Sequence, residues 1–213
     1  MSLLLELVED SKYFYESLSD NPKREFKFNG SNGPIIALHG VTGGWVKNGP
    51  RKYMEINNVE GVLNYFGSME DGLDNYVEQT KLLVDEYPNS LILGFSAGGI
   101  IALKYAEKYG YKNFKRLITI ASPLFGSPPA KFVKSWGETY SQLSPKSSYL
   151  DKVSSINPPK NKVLSIFSEY DIKAPFNNVT TLNWPVMIVD SNSHGQIHSD
   201  YKILEKYINK EIM

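Results

Sequence analysis

The 213-residue chain has no cysteine, and its 23 Lys+Arg are balanced by 23 Asp+Glu. The first absence removes disulfides, zinc–thiolate sites, iron–sulfur clusters and cysteine nucleophiles. The second argues against a general nucleic-acid binder, which carries a basic excess. No stretch approaches the ~20 apolar residues that span a bilayer, so no integral membrane segment is expected. At the start, Leu3-Leu4-Leu5 meets Glu6, Glu9 and Asp10 at once. A signal peptide has a basic start and a longer apolar run, so none is read there. Lack of cysteine fits a cytoplasmic protein and also suits a secreted mature form. Disorder does not fit a chain with 41% hydrophobic and 13% aromatic residues. One domain over 1–213 is expected, burying roughly 70–75% of the unfolded surface.

No internal repeat or low-complexity stretch is present. Over Ser2–Ser19, the residues Leu4, Leu7, Val8, Phe14, Tyr15 and Leu18 fall near helical spacing. Asn29-Gly30-Ser31-Asn32-Gly33 is a turn cluster, read as closing a hairpin from Glu25–Phe28 into the next segment. Residues 1–33 thus read as an N-terminal helix and a turn. Short apolar runs follow at Pro34–Leu38, Val62–Phe66, Ser90–Phe95, Arg116–Ala121, Lys162–Phe167 and Pro185–Val189. Helical patterns lie between or after them at Tyr76–Glu86, Gly98–Tyr109 (with Gly110 as C-terminal cap) and Asp200–Ile212 (with Ser199 or Asp200 as N-cap). Strands alternating with helices predict an α/β fold: a mostly parallel sheet of about six strands with helices on both faces. Residues 125–160, rich in Pro and Ser, read as a small cap excursion over the sheet's C-terminal edge.

Ligands of open α/β sheets bind beyond the carboxyl ends of the strands, so the residues after each strand carry the functional reading. Gly94-Phe95-Ser96-Ala97-Gly98 is G-x-S-x-G between a buried strand and an apolar helix. Such a turn holds the serine in a strained backbone position and exposes its oxygen above the sheet. Side chains two residues either side would not fit, which accounts for Gly94 and Gly98. By composition alone the three fixed residues recur in roughly one chain in fifteen of this length. The weight therefore comes from the strand before and the helix after. A tetrahedral oxyanion needs two preorganised donors. One is the N–H of Ala97. The other belongs to the loop His39-Gly40-Val41-Thr42-Gly43-Gly44, with Val41 first and Thr42 second. That loop lacks the lysine of a phosphate-binding loop and the G-x-G-x-x-G of a dinucleotide site.

On these residues, together with Ala121-Ser122-Pro123-Leu124-Phe125-Gly126-Ser127, Ser168-Glu169-Tyr170-Asp171 and Ser193-His194-Gly195, the chain resembles the α/β-hydrolase fold. Within it the resemblance is to the small lipase/esterase-like branch of serine hydrolases. It runs from about Ile35 to the C-terminus. Phe95 stands where lipases often have His or Tyr. The resemblance implies nucleophile, acid and histidine in the order Ser96, Asp171, His194. Glu169 is a substitute acid and Asp190 a more distant one. Among the three histidines, His39 is implied to be structural, under the oxyanion loop. His198 is the alternative base, otherwise packing or facing solvent near Asp200.

A serine is a weak nucleophile until a neutral imidazole takes its proton, and a carboxylate then orients that imidazole. The function so implied is cleavage of a small-molecule carboxylic ester through an acyl-enzyme, with no cofactor and a preference for short or medium acyl chains. Thioesterase, amidase or peptidase, and acyltransferase chemistry use the same triad, and a non-catalytic binding protein can share the fold. His194 and His198 lie four apart, a metal-binding spacing on a helix. Gly195 speaks against a helix there and no third ligand is evident, so no metal is expected. Trp45, Trp136, Leu124 and Phe125 are read as either pocket lining or packing. Nothing in the pattern specifies an oligomeric state.

Overall fold

The runs read as buried strands assemble into a seven-stranded sheet in a computed structural model that describes residues 25–41, 45, 47–67, 69–176, 179–191 and 193–212. The helix expected over Ser2–Ser19 lies outside these residues, as do Thr42, Gly43 and Gly44 of the glycine-rich loop. The strands are β1 (Phe26–Asn29), β2 (Asn32–Leu38), β3 (Val59–Leu63), β4 (Ser90–Phe95), β5 (Phe114–Ile120), β6 (Val163–Ser168) and β7 (Val186–Val189). Their order is β1-β3-β2-β4-β5-β6-β7. From β2 to β7 all six are parallel, and β1 alone is antiparallel.

The helices are α1 (Lys52–Ile56), α2 (Asn75–Glu86), α3 (Ala97–Tyr109), α4 (Glu138–Gln142), α5 (Ser148–Ser154), α6 (His194–Ser199) and α7 (Tyr201–Ile212). Strand residues alternate between two cores, one on each face. Ile36, Leu38 and Ile92 face Tyr76, Val77, Ile100 and Leu103 of α2 and α3. Ile35, Ala37, Leu91 and Leu93 face Tyr53, Met54, Ile197, Leu204 and Ile208 of α1, α6 and α7. Both faces of β4 are therefore dry, which explains its unbroken apolar run. Gly110 ends α3 at φ 85°, and the Asp200 carboxylate caps α7 by accepting from Lys202 N. Ala130, Leu143, Leu150, Val153 and Ile156, from the segment expected as a cap, join the α2/α3 core. Among the described residues no helix is long and apolar enough to cross a membrane.

Three local readings are corrected. The expected Glu25–Phe28 hairpin is not formed. Both edges of β2 are occupied by β3 and β4, so β1 pairs with the outer edge of β3. The turn residues bond onto the start of β3 instead, Ser31 N to Asn58 O at 3.0 Å and Gly30 N to Val59 O at 3.2 Å. The run read at Val62–Phe66 is strand only to Leu63, because Phe66 N donates to His39 Nε2 and leaves the ladder. Lastly, His194–Ser199 is a short helix despite Gly195. Ser193 Oγ accepts from Gln196 N at 3.1 Å, the first half of a Ser-x-x-Gln capping box.

Topology locates the cleft. The chain leaves β2 for β3 on one side and returns to β4 on the other. Strand order reverses there, and the carboxyl ends of β2 and β4 flank a crevice of the kind in which α/β sheets bind ligands.

Candidate active site

Ser96 joins β4 to α3 with φ 52° and ψ −122°. A non-glycine residue in that region carries strain of about 1–3 kcal/mol and persists only where its surroundings over-determine it. Its N–H donates to Ile120 O at 2.9 Å, and its carbonyl accepts from Gly99 N at 3.1 Å. The turn also needs bare backbone around it. A Cβ on Gly94 would lie 2.4 Å from Gly99 Cα, and one on Gly98 would lie 2.2 Å from Leu38 O. Gly99 is as constrained, since its Cβ would meet Ser122 Oγ at 2.0 Å. From the β2 side, a Cβ on Gly40 would sit 2.9 Å from Ser96 Cβ and 3.3 Å from Oγ. These Gly99 and Gly40 contacts were not legible from the sequence. The adjacent pair Gly98-Gly99 was the available signal for the first.

Of the two expected oxyanion donors, Ala97 directly follows this serine in the chain, and Val41 follows the glycine packed against it. Ala97 opens α3, so its N–H has no intrahelical carbonyl and lies at the positive end of the helix dipole. Val41 directly follows Gly40, the residue pressed against Ser96, and its half-buried side chain packs on the α2/α3 core.

Asp171 follows β6. Its side chain is fully buried and its hydrogen bonds are accounted for. Oδ1 accepts from Lys173 N at 2.8 Å and Ala174 N at 2.9 Å, and Oδ2 lies 2.6 Å from His194 Nδ1. Burial alone would raise this carboxyl, but the His194 charge and hydrogen bond and the Ala174 N–H outweigh it and hold it below the usual value. The bond fixes the imidazole, with Nδ1–H donating to the carboxylate and Nε2 left for another partner. The substitute acids Glu169 and Asp190 are both exposed. Ser168 Oγ donates to Ser191 O at 2.8 Å and Glu169 N to Val189 O at 3.2 Å, so the loops carrying Asp171 and His194 are tied together.

His198 links this pair to the serine. Its ring lies 4.4 Å from that of His194 and 5.5 Å from that of Phe95, the residue before Ser96. Thus Ser96, Asp171 and His194 come from the carboxyl ends of β4, β6 and β7 and gather at one edge of the sheet.

His39 is differently occupied. Its Nε2 accepts from Phe66 N at 2.7 Å, so Nδ1 donates to Gly40 O at 2.6 Å. Burial pushes its pKa down to about 4, and the neutral ring packs on Tyr65, Phe66 and Trp45. Trp45 is buried and donates to Asn64 O at 2.7 Å, which makes it packing. Leu124 is buried in the α2/α3 core with half-buried Phe125 packed against it. Trp136 is 66% exposed, edge-on to Tyr140. Among the described residues, no group of three or more His, Asp or Glu side chains could hold a metal ion.

No family model matches the chain, and no curated protein matches it by sequence. Solved structures do. The chain superposes on the mature form of the lipase BlEst2 of Bacillus licheniformis with TM-score 0.68 at 13% identity, covering 91% of this chain and all of that one. An α/β-hydrolase enzyme from the metagenome of Mar Chica lagoon sediment gives 0.63 at 17% identity, covering 89% and 95%. The N-formylmaleamic acid deformylase of Pseudomonas putida S16 gives 0.61 at 13% identity, covering 87% and 95%. These likenesses agree with the six-stranded parallel core: the chain has the α/β-hydrolase fold.

Proposed function

We propose that the chain is a serine hydrolase that cleaves carboxylic esters of small molecules through an acyl-enzyme. The observation that carries this reading is the 2.6 Å bond between His194 Nδ1 and the buried Asp171 carboxylate, on the sheet edge where Ser96 sits in a strained turn. In this reading Ser96 Oγ attacks the acyl carbon and its proton passes to His194 Nε2. The Asp171 carboxylate stabilises the imidazolium so formed. The oxyanion takes hydrogen bonds from the N–H groups of Ala97 and Val41. The intermediate collapses, and the leaving alcohol carries away the proton from His194. Water then gives a proton to His194 and attacks the acyl-serine. The acid is released and Ser96 recovers its proton.

The segment 125–160 is proposed as a cap within a single domain, its short helices leaving room for short or medium acyl chains. Support for the ester bond comes from the BlEst2 lipase likeness, while the deformylase likeness keeps amide cleavage as the second reading. A fluorophosphonate probe tests the chemistry: Ser96 should displace its fluoride and become labelled. The wild type labels and Ser96→Ala does not. An unlabelled, folded wild type overturns the proposal. Matched ester, thioester and anilide substrates then rank the bonds, with the ester turned over fastest.

A further inference from the structure

Ser168, Ser191 and Ser193 are buried serines that the proposed chemistry does not use. They stand where β6 and β7 end. The two strands pair as far as Ser168 and Val189, and Glu169 N adds a bond to Val189 O at 3.2 Å. Past this pair both strands stop. From there Asp171 is three positions after Ser168, and His194 is three positions after Ser191. Between these two arms Ser168 Oγ donates to Ser191 O at 2.8 Å. Three positions on, Asp171 Oδ2 meets His194 Nδ1 at 2.6 Å. Ser191 Oγ in turn lies 3.2 Å from Ser193 O and 3.3 Å from Gln196 Oε1, and Ser193 Oγ caps α6 by accepting from Gln196 N at 3.1 Å. The bond from Ser168 therefore lands on the segment that starts the helix of His194.

A loop carbonyl in a dry place needs a donor, and the fully buried Ser168 supplies one from the neighbouring strand. Alanine would fill the same position on β6 and take that donor away. The Asp171 carboxylate is held to its own loop by the Lys173 and Ala174 N–H groups, and His194 is held to its own helix by the Ser193 cap. Each partner is fixed within its own arm, and the Ser168 hydroxyl refers one arm to the other beyond the ladder. From this geometry we propose that Ser168 is a positioning residue: by donating to Ser191 O it sets the separation at which Asp171 and His194 make their short bond. This rests on the reading of Asp171 and His194 as orienting acid and base. A charge-assisted bond is about twice as strong as a neutral one and weakens steeply as its angle closes. A small shift at Ser191 is thereby passed to the imidazole that takes the Ser96 proton.

The test compares Ser168→Ala, which removes the donor, with Ser168→Thr, which keeps a hydroxyl on a residue suited to strands. Fluorophosphonate labelling, p-nitrophenyl ester kinetics and the proton NMR signal of His194 Nδ1–H are measured on variants that melt cooperatively. If Ser168→Ala does not, Ser168→Val, the shape of threonine without its hydroxyl, replaces it. The donor-free variant should label about 10-fold more slowly, with the loss in kcat and not in KM. Its Nδ1–H signal, far downfield in the wild type because the bond is short, should move upfield. Ser168→Thr should return to within about threefold of the wild-type rate, with the signal in place. A donor-free variant that labels at the wild-type rate overturns the proposal, as does one whose signal does not move, or a Ser168→Thr variant equally slow. None of these outcomes touches the hydrolase reading, which fails only if the wild type itself is unlabelled.

Discussion

Around Ser96 the chain is held by close backbone approach, whereas around Asp171 and His194 it is held by hydrogen bonds from side chains. Gly94, Gly98 and Gly99 let β4, α3 and the ends of β2 and β5 meet at distances no side chain would allow. On the other side, the Asp171 carboxylate takes two backbone N–H groups and one imidazole, and Ser193 caps the helix on which His194 stands. A glycine contact fails by steric clash and damages the fold. A polar contact on a loop fails by losing a donor or acceptor and damages the chemistry first. The two sides should thus respond differently to substitution.

The largest effect is expected from Asp171→Asn. Its oxygen can still accept from Lys173 and Ala174, so the unfolding transition should remain cooperative. The imidazole, however, is left without a carboxylate and with the wrong tautomer, so kcat should fall about 10⁴-fold. Steady-state ester hydrolysis measures this, and a loss under tenfold would erase the contrast. Gly98→Ala should do the reverse. Its methyl meets the Leu38 carbonyl, which cannot move without shifting β2, and stability should drop by about 3 kcal/mol. A urea titration reads it, and an unchanged midpoint would mean that the turn relaxes freely.

The third effect concerns pH. His39 is held at about 4 in the fold against an ordinary value of 6.5, so between those values the unfolded chain binds more protons. Its contribution is complete above pH 6.5 and is lost as pH falls toward 4, up to about 3 kcal/mol. His39→Gln, which cannot titrate, should flatten this part of the stability profile measured by denaturant melts from pH 7 to pH 4. An unchanged slope would show that other groups carry it.

The Ser96 turn was legible because a steric requirement writes itself into local sequence: glycines at fixed offsets from Ser96, an apolar run before and a helical pattern after. The six parallel strands were legible for the same reason, as β4 and β6 are buried at every residue and read as unbroken runs. The pairing of β1 was not legible. A turn-rich connection reports that the chain bends, and not which strand edge is vacant. Nor was α6: Gly195 speaks against a helix there, and the Ser193 cap on Gln196 N that starts it shows only in the fold.

By itself the sequence determined which segments are buried, in what order strands and helices follow, and which serine lies in a strained turn, since each depends on neighbours within a few residues. Tertiary structure decided that His194 bonds Asp171, that His39 is committed to Gly40 and Phe66, and that the His198 ring lies against those of His194 and Phe95. A hydrogen bond between residues far apart in the chain requires the sheet to exist first. Three histidines of equal chemistry become three different groups only when the strands set what each ring meets.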